Sequence, residues 1–403
     1  MKKLKVMLVF GTRPEAIKMA PLILELKKRA AEFETVVTVT AQHREMLDQV
    51  LAVFEITPDY DLDVMQPNQT ITTITTNVMN RLEEVIQAEK PDIILVHGDT
   101  TTTFAASLAA FYNKTAIGHV EAGLRTWNKY SPYPEEMNRQ LTDVLSDLYF
   151  APTLQSKENL LQENHPVDQV YVTGNTAIDA LKQTVAQDYQ HDILEKVDFS
   201  KKVILVTMHR RENQGKPMEQ VFKAMKDVVN KHPDTEIIYP VHLSPTVQKL
   251  AHAAFDDVKV IYPVHLNPKV QSLAREILND NKRVKLIDPL DVLDFHNFMK
   301  KAYIIMSDSG GVQEEAPSLG KPVLVLRDTT ERPEGIAAGT LKLVGTEYEN
   351  VKQEMTVLLE DETQYQQMAQ AKNPYGDGQA SRRILDAIAY HFGQLADRPQ
   401  DFS

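Results

Sequence analysis

The 403-residue chain holds 44 Lys and Arg against 56 Asp and Glu, a formal net charge of −12 that argues against a broad surface for nucleic acid or anionic membrane. It contains no cysteine, which excludes disulfides, thiolate metal sites and cysteine nucleophiles and is compatible with a reducing cytoplasm. With 42% hydrophobic and 25% charged residues it has the balance of a folded chain, too long for one core and suited to two domains of about 150 to 200 residues each.

The basic start Met1-Lys2-Lys3 precedes an apolar run that Lys5 interrupts and Gly11 ends without a small-residue cleavage site, so a first strand is expected there rather than a leader. No stretch approaches the roughly 18 apolar residues that cross a bilayer. Short β-branched runs then alternate with longer helical patterns, the signature of parallel βαβ units. Strands are expected at Lys5–Phe10, Thr35–Thr40, Asp92–His97, Thr115–Val120, Leu148–Ala151 and Val170–Thr173. A second series follows at Lys202–Met208, Glu236–Tyr239, Arg283–Ile287, Tyr303–Ser307, Pro322–Leu326 and Leu341–Gly345. The pattern predicts an α/β protein of two doubly wound parallel-sheet domains, 1–172 and 173–379. The turn-rich run Asn373–Gly378 allows the last helix, within 380–403, to pack back onto the first domain. One repeat is visible: Ile238–Pro245 recurs as Ile261–Pro268, 23 residues on (Tyr239 to Tyr262). Two copies do not make a solenoid, and a local duplication of one strand-helix unit is the simpler reading.

Ligands of doubly wound sheets bind beyond the carboxyl ends of the strands, so polar residues just after each strand carry the functional weight. Arg13 follows Gly11 after the first strand, over a helix that Pro14 suits, where it could meet an anion or simply be solvated. Asp99 follows the third strand and reads either as a site carboxylate or as the N-cap of the next helix. Glu121 ends the fourth strand and could equally form an ion pair with Arg125. Glu135 and Glu136 occupy a first helical turn, where macrodipole compensation alone explains them. His209, with Arg210 and Arg211, follows the first strand of the second series, a place for phosphate binding or proton transfer.

The run Ser307-Asp308-Ser309-Gly310-Gly311-Val312-Gln313-Glu314-Glu315 is the strongest local signal. Asp308 and Ser309 are expected to cap the next helix, Gly310 and Gly311 to let backbone amides approach a phosphate, and a Glu one turn on to hold a ribose diol. Arg327–Glu334 follows the next strand with a density of charge that suits a diphosphate.

Taken together, GTRPEAIKMAP (Gly11 to Pro21), TAQHREMLDQV (Thr40 to Val50), HGDTTTT (His97 to Thr103), GHVEAGLRT (Gly118 to Thr126), PEEMNR (Pro134 to Arg139), GNTAIDAL (Gly174 to Leu181), HRREN (His209 to Asn213) and DSGGVQEEAPSLGKPVLVLRDTTERPE (Asp308 to Glu334) resemble the non-hydrolysing UDP-N-acetylglucosamine 2-epimerases, in the same order along nearly the whole chain. The resemblance implies two Rossmann-like domains of the GT-B type with a cleft between them, a cytoplasmic homodimer, and no metal or nicotinamide cofactor. It implies UDP-N-acetylglucosamine as substrate, epimerised at carbon 2 through 2-acetamidoglucal, and a role in bacterial surface polysaccharide. It assigns Asp99, Glu121, Glu135 and His209 to catalysis and Arg13, Lys18, Phe295, Ser309, Gly310, Gly311, Glu315 and Arg332 to substrate binding. It also places a second, activating substrate molecule near Gln42, His43, Glu136, Arg210 and one of His242 or His265, although Asn68 stands where some such members have arginine. The family carries one Tyr-Pro-Val-His-Leu-Asn-Pro segment where this chain carries two, so His242 and His265 compete for one role.

Overall fold

The alternation of β-branched runs and amphipathic segments folds, in a computed structural model, into two compact units; residues 2–41, 44–65, 69–192, 194–239, 260–263, 284–287 and 290–403 are described. The first unit comprises Met1–Gln183 and Tyr375–Ser403, the second Thr184–Pro374.

The first unit runs β1 (Leu4–Phe10), α1 (Arg13–Lys28), β2 (Phe33–Val39), α2 (Arg44–Val53), β3 (Tyr60–Asp61), α3 (Ile71–Glu89), β4 (Ile93–His97), α4 (Thr101–Tyr112), β5 (Ala116–Val120), α5 (Glu135–Leu145), β6 (Leu148–Ala151), α6 (Leu154–Gln162), β7 (Val170–Val172) and α7 (Thr176–Thr184). Its seven strands form one parallel sheet in the order β3-β2-β1-β4-β5-β6-β7. A parallel strand covered on both faces needs apolar side chains on both, which is why Val6 to Phe10 is an unbroken apolar run with no exposed residue. Met7, Val9, Ile94 and Val96 pack against Val78, Leu82 and the small residues Ala105, Ala106 and Ala109, which let α4 lie close to the sheet.

The second unit runs β8 (Lys202–Thr207), α8 (Lys216–Lys231), β9 (Thr235–Ile238), β10 (Val260–Pro263), β11 (Val284–Ile287), α9 (Val292–Lys301), β12 (Ile304–Ser307), α10 (Gly310–Glu315), β13 (Val323–Val325), α11 (Pro333–Ala337), β14 (Leu341–Leu343), α12 (Tyr348–Glu360) and α13 (Glu362–Ala369). Its five-stranded parallel sheet has the order β14-β13-β12-β8-β9, and β10 pairs with β11. Ile204, Val206, Phe222, Ile304, Met306 and Leu324 make its core.

The strands expected from sequence form with ends shifted by at most two residues, and β10 and the two-residue β3 are additions. Both copies of the repeat begin on a strand, β9 and β10; most of the rest lies outside the described residues, with His242 and His265. The division between units falls at the last residue of α7, between Gln183 and Thr184, rather than near residue 173 at the end of β7. The reason is that α7 is tied to the returning chain: Asp179 accepts from Ala380 N at 3.1 Å and Ser381 N at 2.8 Å. The final helix, α14 (Ala380–His391), joins α1 through Arg29 Nη1 donating to Asp386 at 2.6 Å, and Phe402 N donates to Val172 O at 2.7 Å.

Candidate active site

At the carboxyl edge of the first sheet, three strand-end loops are locked together by buried carboxylates. Glu15 in the first turn of α1 is 2% exposed and collects five donors: Gly11 N (3.0 Å), Thr12 N (2.8 Å), the Thr12 hydroxyl (2.8 Å), and the hydroxyls of Thr100 (2.7 Å) and Thr103 (3.1 Å). Burial raises its pKa against the opposing pull of those hydrogen bonds. It ties the start of α1, which carries Arg13, to the β4–α4 loop, which carries Asp99. Gly11 is required here, because a Cβ would collide with the Thr40 hydroxyl.

Asp99 does not cap α4. Thr100 takes that position, its hydroxyl accepting from Thr103 N at 3.2 Å, and the Asp99 carboxylate is paired with Arg139 of α5. The Asp99 carbonyl accepts from Asn138 Nδ2 at 2.9 Å, a second tie from the same helix. Glu121 likewise does not pair with Arg125. Its Oε2 takes Lys18 of α1 and Asn175 Nδ2 (2.9 Å), with His97 Nε2 at 3.7 Å. Glu121 has φ +66°, a left-handed backbone that a non-glycine residue keeps only where its surroundings fix it, and such residues cluster at functional sites. His97, 4% exposed, has neither ring nitrogen hydrogen-bonded among the described residues. Burial pulls its pKa down to about 3, Lys18 and His119 adding to the effect and Glu121 opposing it, so the ring is neutral at pH 7.

Behind these loops lies a chain of charges whose His119, Asp143 and Arg125 side chains are fully buried. His119 Nδ1 is 2.6 Å from Asp143 Oδ1 and its Nε2 is 2.8 Å from the Gly98 carbonyl. Arg125 Nη2 donates to Asp143 Oδ2 at 2.6 Å, and its Nε to Glu163 Oε1 at 2.9 Å. Burial would raise the Asp143 pKa, but His119 and Arg125 hold it below the usual carboxylate value.

Glu135 opens α5 and is partly exposed. Its neighbour Glu136 is fully buried, accepts from Thr126 N (3.1 Å) and Trp127 N (3.0 Å), and reaches Arg139 Nη1 at 3.3 Å. Macrodipole compensation therefore does not describe Glu136: it anchors the loop before α5 and touches the cation that holds Asp99.

In the second unit the corresponding edge is built around Asp308. It does not cap α10; fully buried, it accepts from His209 N (3.0 Å), Arg210 N (2.9 Å) and Asn213 Nδ2 (3.0 Å). That brings the β8 loop, with the half-exposed His209 ring, beside the β12 turn that carries Ser309, Gly310 and Gly311. Ser309 occupies the N-cap position without a side-chain cap bond. Arg332 lies over the glycines: a Cβ on Gly310 would sit 3.4 Å from its guanidinium carbon. Arg332 Nε donates to Glu314 at 2.7 Å, and Glu314 is 2% exposed. Glu315 is thus the more accessible of the two acids, and His296 Nε2 stands 3.5 Å from it. Phe295 neighbours that histidine on α9. Arg327 is committed to Glu331 in a two-pronged pair at 2.6 and 3.0 Å. Burial works against ionisation of Glu331, but hydrogen bonds from Arg327 prevail and bring its pKa down to about 2.

The structure therefore gathers Arg13, Lys18, Asp99, Glu121 and Glu135 at one sheet edge and His209, Ser309, Gly310, Gly311, Glu315 and Arg332 at the other. Gln42, His43 and Asn68 lie outside the described residues. Sequence reasoning missed His97, Asn175, Arg139 and the His119–Asp143 pair as parts of the site, and misassigned Asp308. The available signal was on α5, where Glu136, Arg139, Thr142 and Asp143 are buried while Leu141 and Val144 are exposed, the reverse of an ordinary surface helix. No cluster of three or more His, Asp or Glu among the described residues could hold a metal ion, and no described helix is long and apolar enough to cross a membrane.

Two parallel-sheet units with strand-end sites place the chain in the GT-B-like class of α/β proteins. The model of the family described as UDP-N-acetylglucosamine 2-epimerase matches residues 25–258 and 250–389. A Bacillus subtilis protein named UDP-N-acetylglucosamine 2-epimerase is 58% identical over 403 residues, covering 100% of both chains. Among solved structures, the S. aureus MnaA–UDP co-structure is 53% identical with a TM-score of 0.82, covering 99% of this chain and 100% of that one. The Neisseria meningitidis UDP-GlcNAc 2-epimerase bound to UDP-GlcNAc is 50% identical with a TM-score of 0.81, covering 96% and 100%. The chain belongs to the UDP-N-acetylglucosamine 2-epimerase family.

Proposed function

We propose that this protein interconverts UDP-N-acetylglucosamine and UDP-N-acetylmannosamine by eliminating UDP and adding it back. The observation that carries the reading is the pair of strand-end carboxylates Asp99 and Glu121, each held by its own cation, Arg139 and Lys18, in a chain 58% identical to a relative of that name. Carbon 2 of the sugar lacks an adjacent carbonyl, so its proton becomes acidic only as the carbon 1–oxygen bond to UDP breaks. A base removes that proton, the C–H electrons form the carbon 1–carbon 2 double bond of 2-acetamidoglucal, and the C–O electrons leave with the UDP phosphate. Reversal with the proton delivered to the opposite face inverts the centre, which calls for acid/base groups on both faces. Asp99, Glu121 and Glu135 fill that need. Arg13, His209, Arg332 and the amides of Gly310 and Gly311 offset the charge on the departing diphosphate, while Phe295 and Glu315 hold the uridine.

The test is to follow UDP-N-acetylglucosamine with purified protein by proton NMR. UDP-N-acetylmannosamine should accumulate to equilibrium without free UDP. Free N-acetylmannosamine with UDP would indicate a hydrolysing enzyme, and an inert substrate that reacts only when an acceptor sugar is added would indicate a glycosyltransferase.

Two finer points belong to the same reading. Activation by a second substrate molecule is supported by the Glu136–Arg139–Asp99 connection, and sigmoidal rate curves would test it. A homodimer is supported by Phe111, Tyr112, Leu141 and Val144, exposed near the ends of the mutually packed α4 and α5; light scattering reads it directly. Service in surface-polysaccharide synthesis rests on the sequence resemblance alone.

A further inference from the structure

The buried chain behind Asp99 contains a histidine whose partners dictate its protons. Asp143 is kept ionised by Arg125 at 2.6 Å, so toward His119 Nδ1, at 2.6 Å, it can only accept. The partner of Nε2 at 2.8 Å is the Gly98 carbonyl, which has no proton to give. Two acceptors facing the two nitrogens require both to carry hydrogen. Nearby titratable groups do not disturb this. Tyr149 donates its hydroxyl to Ser146 O at 2.7 Å, His165 faces Glu163 at 3.5 Å, and His97 is neutral.

We propose that His119 is a buried imidazolium that positions the Gly98–Asp99 turn, and through it the Asp99 carboxylate, for proton transfer. The proposal rests on the assignment of Asp99 to the reaction. Gly98 has φ +67°, donates its amide to Val120 O at 2.9 Å, and accepts at its carbonyl from His119, so the peptide units on both sides of Gly98 are fixed from β5. Asn138 then fixes the next carbonyl and Arg139 the carboxylate. A charged donor makes a stronger hydrogen bond than a neutral one, which suits a glycine turn that has no side chain of its own to hold it. The same charge helps keep His97 neutral beside Glu121.

The test uses the full-length protein labelled with nitrogen-15 in its histidine rings, His119 being identified as the signal lost in His119→Gln. Both ring nitrogens should carry hydrogen, and in Asp143→Asn the second proton should be lost. A ring nitrogen without hydrogen in the wild type overturns the imidazolium. Turnover then tests the positioning role. Gln places its amide near the Nε2 position and retains the bond to Gly98, whereas Asn reaches only toward Asp143. His119→Asn should therefore lose turnover on the order of 10²-fold, the cost of a misplaced group, with KM within about twofold, and His119→Gln should recover a substantial part of it. Equal activities of the two variants overturn the positioning role. An Asp99→Asn control separates the failures: full turnover there removes Asp99 from the reaction, and the positioning role falls with it.

Discussion

The two sheet edges solve different problems with the same device. In the first unit, side chains carry the charge: Asp99 with Arg139, Glu121 with Lys18, His119 with Asp143. In the second, the central carboxylate, Asp308, is buried under backbone amides of His209 and Arg210, and what faces outward is a glycine turn under Arg332. Salt bridges at the first edge hold charged side chains in place; the buried acid at the second holds the β8 loop beside the glycine turn. Under the function proposed above, the reacting sugar belongs to the first edge and the leaving group to the second.

Isosteric loss of a carboxylate at the first edge should have the largest effect. Glu121→Gln or Asp99→Asn should lower kcat by roughly 10²–10⁴, while UDP affinity measured by calorimetry stays within about a factor of three, because uniform binding is untouched. At the second edge the split should reverse. Arg332→Met removes a charged donor, worth about 1.5–3 kcal/mol, and should weaken UDP binding by roughly ten- to a hundredfold with a smaller change in kcat. A smaller loss is expected for Asp308→Asn, which leaves amides of the β8 loop poorly satisfied. It should cost about 1–3 kcal/mol, read as a fall of roughly 2–4 °C in Tm per kcal/mol for a unit of this size.

The effect that is smallest at neutral pH concerns His97, whose pKa is about 3 in the folded protein against 6.5 as the ordinary value. Between those values the unfolded chain binds a proton that the folded one does not, so this group's contribution to stability is present above the upper value and is lost as pH falls toward the lower. Wild type should take up about one more proton on unfolding near the middle of that window than His97→Gln does, a difference of about 1.4 kcal/mol per pH unit. Calorimetry in buffers of different ionisation heat measures it.

The strands were legible because a buried parallel strand must be apolar on both faces, and runs such as Val6 to Phe10 admit no other reading. Strand-end placement also made Asp99, Glu121 and His209 visible as candidates. Their partners were not visible, for a physical reason. Lys18 and Glu121, or Asp308 and His209, are about a hundred residues apart in sequence and meet only through sheet order, which places β4 between β1 and β5 and sets β8 beside β12. Local reasoning instead offered Arg125 as a partner for Glu121 and a cap role for Asp99 as alternatives, and made Asp308 a cap, using neighbours in sequence where the fold supplies neighbours in space. The inverted burial of α5 was the one local sign of a charged interior.

Incubation with UDP-N-acetylglucosamine in deuterated water tests the division of labour most directly. The account predicts UDP-N-acetylmannosamine carrying deuterium at carbon 2, formed without free UDP, because the proton is exchanged at one edge while the leaving group is retained at the other. Epimerised product with no deuterium, or deuterated sugar released from UDP, would contradict it.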